Sequence, residues 1–209
     1  MLLKAMIYGQ EIVLETGEYY FSPKGIDRGT QLMLSQVQVT GEDKVLDLGC
    51  GYGVVGISIG KVIDGERVVM SDYSEEAVTL SKDNLKRNGL EQIRVIKSDG
   101  FKEIPDRDFT LILSNPPYHT DFSVAKGFIE DGYKSLVTGG KLMMVTKRLT
   151  WYKNKLSAVF GGVKVWEQDG YYVFTAEKRR VSGKNISKNK HGLSKKLMRK
   201  YGKKDNTLL

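Results

Sequence analysis

Cysteine and long apolar runs are scarce in this chain, and each scarcity excludes a class of protein. The 209 residues contain one cysteine, Cys50, which rules out an intramolecular disulfide framework and favours a reducing compartment. The longest apolar run near the glycine-rich segment, residues 54–60, is far shorter than the roughly 20 residues of a membrane-spanning helix. The first ten residues lack the sustained apolar core of a secretory signal. We therefore expect a cytoplasmic protein with no membrane partner.

Positive charge is concentrated at the C-terminal end of the chain. Residues 178–209 contain 12 lysines and arginines against one acid, Asp205, whereas the rest of the chain has slightly more acids than bases. Such a run is typical of a solvated, flexible extension, and it is equally typical of a segment that contacts nucleic-acid phosphates. The sequence alone leaves both interpretations open.

Alternating β-rich and helical patterns begin at Lys44 and indicate repeated βαβ units. Two β-rich runs near the C-terminal end flank Asp169-Gly170, which is a strong hairpin signal. We predict an α/β, Rossmann-like fold with a seven-stranded, mostly parallel sheet, a C-terminal antiparallel hairpin and helices on both faces. The predicted strands cover 44–48, 67–71, 93–97, 109–114, 141–146, 162–168 and 171–178, and the predicted helices cover 30–37, 54–62, 74–89, part of 122–136 and 151–161; further β-like pieces lie at 6–16 and 19–22.

The turn after the first of these strands is rich in glycine. The stretch VLDLGCGYGVVGI places Asp47 in the strand and Gly49, Gly51 and Gly53 in the turn, around Cys50. Glycine allows positive φ and a close approach of the backbone to a ligand. The spacing also satisfies the G-x-G-x-x-G pattern of dinucleotide-binding folds, which therefore remain a rival interpretation. A carboxylate at position 47 would repel a pyrophosphate, but it suits the ammonium and sulfonium groups of S-adenosylmethionine.

Two further acids follow the next two strands. Asp72, with Tyr73 beside it, comes at the end of the second strand, where a carboxylate can accept hydrogen bonds from both ribose hydroxyls of a nucleoside. Asp99, followed by Gly100 and Phe101, comes after the third strand, where an adenine amino group could be met. Because parallel strands end at one edge of a sheet, we expect these acids to share a ligand site with Asp47.

The stretch LILSNPPYHT places two adjacent prolines at the end of the fourth predicted strand. Proline fixes its own φ and pushes the preceding residue toward extended conformations, so this turn is rigid. The side-chain oxygen of Asn115 and the carbonyl of Pro116, held by Pro117, can accept the two N–H groups of an exocyclic amine, and Tyr118 offers a ring for stacking. Such an amine is a poor nucleophile, and positioning of its two hydrogens promotes its attack on a methyl group.

Taken together, these motifs resemble those of class I S-adenosylmethionine-dependent methyltransferases. The Asn-Pro-Pro-Tyr form resembles the branch that methylates amino nitrogens, namely adenine N6, guanine N2 and protein glutamine N5. Residues 19–37 resemble the MTS or RsmC-type family of small-subunit (16S) ribosomal RNA guanine-N2 methyltransferases, in which a Phe-Ser pair and an Asp-x-Gly-(Ser/Thr)-x-Leu-Leu-Leu pattern precede the glycine turn. Residues 153–179 resemble the final helix and hairpin of that family.

The resemblance implies a role for each motif. Asp47 and the glycine turn would hold the methionine end of S-adenosylmethionine, Asp72 the ribose, Asp99 the adenine, and residues 115–118 the target amine. Ribosomal RNA or the small ribosomal subunit would be the partner, with no metal involved. The charge of residues 178–209 would let them contact its phosphates. An adenine-N6 or glutamine-N5 methyltransferase and a non-catalytic RNA-binding module remain alternatives.

The sequence pattern also predicts a division of the chain into three parts. Residues 1–43 would supply strands and a helix packed on the catalytic domain, residues 44–180 would form the methyltransferase catalytic domain, and residues 181–209 would form a basic, flexible tail.

Overall fold

The computed structural model describes residues 1–16, 25–117 and 122–180. The predicted β-like piece at 19–22 and the basic residues 181–209 lie outside this part of the chain. The strands are β1 (Leu2–Ile7), β2 (Gln10–Glu15), β3 (Val45–Leu48), β4 (Val68–Asp72), β5 (Arg94–Lys97), β6 (Phe109–Ser114), β7 (Leu136–Thr146), β8 (Lys164–Gln168) and β9 (Tyr171–Glu177), and the α-helices are α1 (Arg28–Gln36), α2 (Val54–Gly60), α3 (Glu75–Arg87), α4 (Phe122–Ser135) and α5 (Leu149–Phe160).

A seven-stranded sheet forms the middle layer of the fold, in the order β5-β4-β3-β6-β7-β9-β8. The five strands from β5 to β7 are parallel, and β9 runs antiparallel to both β7 and β8. The turn between β8 and β9 has positive φ at Asp169 and Gly170, the conformation of a tight hairpin turn. The predicted α/β fold, its mostly parallel sheet and its antiparallel hairpin are therefore confirmed.

Successive strand residues enter two different cores, one on each face of the sheet. In β6, for example, Leu111 and Leu113 belong to one core and Ile112 belongs to the other. Helices α1, α2 and α3 and the β1-β2 hairpin cover the first core, and α4 and α5 cover the second. The strands are consequently apolar on both faces, which is why they appear in the sequence as continuous rather than alternating hydrophobic runs.

Strand β7 differs from its prediction because it starts at Leu136, five residues before the predicted 141. Its pairing with β6 shifts between two registers, and Gly139 and Gly140 lie in the irregular stretch. A Cβ on Gly140 would come within 2.9 Å of the carbonyl oxygen of Phe109, so the two backbones approach too closely for a side chain. The glycine pair suggests a loop in the sequence, whereas in the fold it is a close contact inside a strand.

The N-terminal β-like piece predicted at 6–16 is a hairpin whose first strand begins earlier, at Leu2. Two asparagines, Asn84 in helix α3 and Asn88 at its C-cap, attach this hairpin to α3. The amide of Asn88 exchanges two hydrogen bonds with the backbone of Val13, and the amide of Asn84 does the same with Glu15. The Nδ2 of Asn84 also donates to the carbonyl of Tyr52, in the glycine turn. The buried amides of Asn84 and Asn88 thus form hydrogen bonds with the edge of β2 that does not pair with β1, and Asn84 also supports the glycine turn.

Residues 1–179 form one compact unit. The finer division at residue 43 stays a prediction. None of the helices in the described part of the chain is long and apolar enough to cross a membrane.

Candidate active site

A cleft of about 520 Å³ opens at the carboxyl edge of the sheet, where β3, β4 and β6 end. Residues from the glycine turn, from the ends of the neighbouring strands and from helices α1 and α4 line it. The cleft brings together most of the residues predicted to form the site, namely Asp47, Gly49, Cys50, Gly51, Asp72, Tyr73, Asp99, Gly100, Asn115, Pro116 and Pro117. Their individual roles remain predictions.

The glycine turn adopts the conformation that its sequence predicts. Gly49, Gly51 and Gly53 have φ values of +76°, +56° and +96°. The N–H groups of Gly49 and Cys50 both donate to the carbonyl of Ser71, which ties the turn to the end of β4. A Cβ on Gly51 would meet nothing within 4 Å, so the open side of the turn leaves room for a ligand close to the backbone.

Asp47 lies in β3 and is almost fully buried at the base of the cleft. Its Oδ2 accepts a 2.8 Å hydrogen bond from the N–H of Gly56, in the first turn of α2. This bond caps a helix whose own N-cap residue, Gly53, has no side chain. Burial raises the pKa of Asp47 to about 7, the Gly56 bond opposes the rise, and the charge of Asp72 adds to it.

Asp72 ends β4 and supports the loops on either side. Its Oδ2 accepts from the N–H of Gly51 and its Oδ1 from the N–H of Ser74, which caps helix α3. The carboxylate therefore fixes the glycine turn relative to α3. Each of its oxygens has a second lone pair, so the pair of ribose hydroxyls predicted for this position is chemically compatible with the bonds already present.

The residues predicted for the adenine end differ in their positions relative to the cleft. Asp99 lines the cleft, but its exposed carboxylate forms an ion pair with Lys102. Phe101 is buried in the core under α4 and α5 and does not line the cleft; the ring of Phe128, from α4, lies over Gly100 instead. Gly53 likewise lies behind the cleft, against Met70.

Cys50 contributes its backbone, and not a reactive thiol, to this site. Its side chain is buried and lies 3.5 Å from the hydroxyl of Ser81. Burial, with the charges of Asp47 and Asp72, raises the pKa of the thiol well above its ordinary value. A thiol held in this protonated form is not a nucleophile.

Asn115 follows β6 directly and is half-buried beside the glycine turn. The preceding residue, Ser114, donates a 2.8 Å hydrogen bond to the carbonyl of Leu48, so the ends of β6 and β3 are tied together. The Nδ2 of Asn115 donates to Oδ2 of Asp27 at 3.0 Å and to Oγ1 of Thr30 at 2.8 Å. Tyr118, the predicted stacking residue, lies outside the described residues.

Sequence reasoning missed several residues that line the cleft, among them two at the start of α1 and two in α4. Asp27 and Thr30 come from the start of α1, and Val124 and Phe128 come from α4. Asp27 and Thr30 lie within the Asp-x-Gly-(Ser/Thr) pattern, which was noted as a resemblance without any role for its residues. Nothing in the local sequence of α4 marks the other two, because only the packing of that helix over the sheet brings them to the cleft.

Among the described residues, the charged side chains that line the cleft are all acidic. Four aspartates line it, at positions 27, 47, 72 and 99, and the described lining residues include no lysine, arginine or histidine. A ligand with a cationic centre would compensate the buried charge at Asp47, whereas a pyrophosphate would add to the repulsion. The site therefore fits the sulfonium and ammonium groups of S-adenosylmethionine and does not fit a nicotinamide dinucleotide.

The sheet order, the glycine turn after the central strand and the acidic cleft together define the fold of class I S-adenosylmethionine-dependent methyltransferases, whose cofactor is S-adenosylmethionine. The chain belongs to the methyltransferase small domain (MTS) family, whose model matches residues 11–175.

Curated relatives and solved structures agree with this assignment. The chain is 34% identical over 182 residues to the ribosomal RNA small subunit methyltransferase C of Cronobacter sakazakii, covering 85% of this chain and 52% of the relative. It is 35% identical to the protein of the same name from Escherichia coli, covering 73% of this chain and 45% of the relative. The chain thus spans about half the length of the curated relatives it matches.

Among solved structures, the 16S rRNA N2 G1207 methyltransferase (RsmC) of Thermus thermophilus, in complex with AdoMet and guanosine, matches with a TM-score of 0.78 and 26% identity, covering 86% of this chain and 50% of that one. A methyltransferase from Pyrococcus furiosus matches with a TM-score of 0.67 at 19% identity, which supports the fold alone.

Proposed function

We propose that this chain transfers a methyl group from S-adenosylmethionine to an exocyclic amino nitrogen of RNA, and that the nitrogen is guanine N2 of small-subunit ribosomal RNA. One observation carries the proposal: the Asn115-Pro116-Pro117 turn and the acidic, glycine-rich turn line the same cleft. The amine-binding motif and the cofactor motif are therefore close enough to act on one pair of reactants.

The residues around the glycine turn hold the cofactor, which supplies an electrophilic methyl group on a sulfonium. Asp47 and the open backbone of Gly49 and Gly51 bind its methionine end, and Asp72 accepts from its ribose. The buried charge of Asp47 is the term that favours a cationic ligand at this position. Because the carboxylate is already fixed by the Gly56 N–H, little reorganisation accompanies binding.

Asn115 and Pro116 orient the amine. The side-chain oxygen of Asn115 and the carbonyl of Pro116 accept its two hydrogens, which directs the nitrogen lone pair at the methyl group. The described residues that line the cleft supply carboxylates and carbonyls rather than a histidine base, so positioning and electrostatics carry the rate increase. Tyr118 stacks on the ring that bears the amine.

RNA as the partner is supported by the names of the relatives and by the charges beside the cleft. Lys147 and Arg148 follow β7 directly, and β7 lies next to β6, the strand that precedes Asn115. Both are exposed and rest on aromatic rings, Lys147 at 4.7 Å from the centroid of Tyr171 and Arg148 at 5.0 Å from that of Phe122. Cations at this rim can meet phosphates that flank a target nucleotide, and the basic residues 178–209 are a second candidate for phosphate contacts.

A methyl-transfer assay with three substrates tests the proposal. Tritiated S-adenosylmethionine is offered with purified 16S rRNA, with immature small subunits and with a protein release factor. We expect label in RNA, and we expect Asn115→Ala to lower the rate by about 100-fold or more while cofactor binding survives. Asn154→Ala, on the exposed side of α5, is the matched control and should transfer at the normal rate.

The outcomes separate the proposal from its alternatives. Undiminished transfer by Asn115→Ala would refute the role of the turn, and label in the release factor alone would indicate a glutamine-N5 enzyme. Mass-spectrometric mapping of rRNA from cells that lack the protein should reveal one missing methyl group. A methyl missing from an adenine would contradict the choice of guanine.

A further inference from the structure

The Asp27-x-Gly29-Thr30 segment at the start of helix α1 contacts the turn that carries Asn115. The Nδ2 of Asn115 donates to the carboxylate of Asp27 at 3.0 Å and to the hydroxyl of Thr30 at 2.8 Å. These contacts join residues that are more than 80 positions apart in the sequence. We propose that Asp27 and Thr30 are positioning residues, which fix the side-chain amide of Asn115 with its nitrogen toward α1 and its oxygen on the side away from α1. The link from that oxygen to catalysis rests on the function proposed above.

The chemistry of the two acceptors determines which way the amide points. An ionised carboxylate can only accept hydrogen bonds, so the NH₂ group of Asn115, and not its oxygen, faces Asp27. The Thr30 hydroxyl directs its single proton toward Asp27 Oδ2, at 3.5 Å, and therefore presents a lone pair to Asn115. A flipped amide would bring its oxygen against the carboxylate and lose both bonds. The amide consequently has one favourable orientation.

The two acceptors are themselves held in place. Asp27 is the N-cap of α1 and accepts from the N–H of Thr30 at 2.9 Å, so the helix start and the carboxylate fix each other. The hydroxyl of Tyr171, at the start of β9, approaches the other carboxylate oxygen at 3.4 Å. A Cβ on Gly29 would come within 2.7 Å of the Tyr171 ring, so only glycine lets the ring pack there.

This arrangement explains why the three residues of the pattern occur together. Asp27 and Thr30 supply the acceptors, and Gly29 admits the tyrosine that approaches the carboxylate from the other side. The helix start thus acts on the cleft through Asn115, and its contribution to the rate should appear in the transfer step rather than in the affinity for S-adenosylmethionine.

Matched substitutions at Thr30 provide the test. Thr30→Val keeps the shape of the buried side chain and removes the acceptor, whereas Thr30→Ser keeps the acceptor. Asp27→Ser is a second variant, since serine retains the helix cap but is too short to reach Asn115 in the same way. Thermal melting of each full-length variant establishes that it is folded.

The first readout is the pair of Asn115 side-chain NH₂ resonances in a ¹⁵N-correlated NMR spectrum, assigned by their loss in Asn115→Ala. We expect Thr30→Val and Asp27→Ser to shift these resonances and to speed their exchange with water, and Thr30→Ser to leave them close to their original positions. Unchanged resonances in both Thr30→Val and Asp27→Ser would overturn the inference.

The second readout is the single-turnover methyl-transfer rate measured beside the dissociation constant for S-adenosylmethionine. We expect a rate about tenfold lower for Thr30→Val and within about twofold of normal for Thr30→Ser, as for loss of one hydrogen bond, with cofactor affinity unchanged. An equal loss in cofactor affinity would mean that Thr30 acts on the cofactor and would overturn the inference. If the unaltered protein methylates no RNA, the proposed function fails, and the NMR readout still decides the positioning role.

Discussion

Binding of S-adenosylmethionine should release a proton from Asp47, and the affinity should therefore rise with pH. Burial raises the pKa of this carboxyl to about 7 in the free protein, so a large share of the molecules carry it protonated near neutral pH. The cationic end of the cofactor favours the ionised form. Binding and deprotonation are consequently linked.

The size of the effect follows from that pKa. If only the ionised form binds, the dissociation constant should fall about 25-fold between pH 5.5 and pH 7.5, and about half a proton should be released per cofactor bound near pH 7. Above this range the amino group of the cofactor itself begins to lose its charge, at about pH 8, so the measurement belongs below it.

Isothermal titration calorimetry in buffers of different ionisation enthalpy measures both quantities. Asp47→Asn is the control because asparagine can still accept the hydrogen bond from Gly56 but does not titrate. It should bind more weakly and with a dissociation constant that hardly changes over this range. A flat profile in the unaltered protein, or the same slope in Asp47→Asn, would refute the reasoning.

Three further predictions concern stability and RNA affinity. Because the folded-state pKa of Asp47 is raised, its contribution to stability is present at low pH and is lost as pH rises through about 7. Asp47→Asn should therefore stabilise the free protein at pH 8 by about 2 to 4 kcal/mol and leave it nearly unchanged at pH 4. A lower melting temperature of Asp47→Asn at pH 8 would contradict this. A Cβ at Gly56 would come within 2.5 Å of a core side chain, whereas one at Gly127 would meet nothing within 4 Å. In urea unfolding, Gly56→Ala should lower the free energy of unfolding by about 1 to 3 kcal/mol, and Gly127→Ala should raise it by about 0.5 to 1 kcal/mol. Equal effects of the two substitutions would show that packing is not responsible. Lys147→Gln and removal of residues 181–209 should each weaken RNA binding and flatten its salt dependence without changing cofactor affinity, and an unchanged salt slope in either protein would remove that segment from the RNA-binding surface.

The fold could be predicted largely because its signals are local. The apolar runs of 44–48 and 109–114 give buried parallel strands, the Ser74 cap and its two following glutamates start α3, and Asp169-Gly170 gives the hairpin turn. Strand β7 was the exception. Its Gly139-Gly140 pair resembles a loop until the opposing backbone of β6 is known.

The site divides in the same way. Positive φ at Gly51 follows from residue type, and the presence of Asp47 and Asp72 at one edge follows from the parallel strands that the βαβ pattern predicts. The sequence does not show that Phe128, rather than Phe101, lines the cleft near Gly100, because this depends on how α4 packs over the sheet.

The sequence by itself determined which motif follows each strand and the chemistry of that motif: a glycine turn that allows positive φ, acids after successive strands, and a rigid Asn-Pro-Pro turn. Only the tertiary structure decided that Asp27 and Thr30 hold Asn115 and that the surroundings of Asp47 raise its pKa to about 7. The physical reason is one of range. Backbone propensity and the succession of strands and helices along the chain are encoded in neighbouring residues. Hydrogen bonds between residues distant in sequence, and desolvation, exist only once the layers of the fold have packed together.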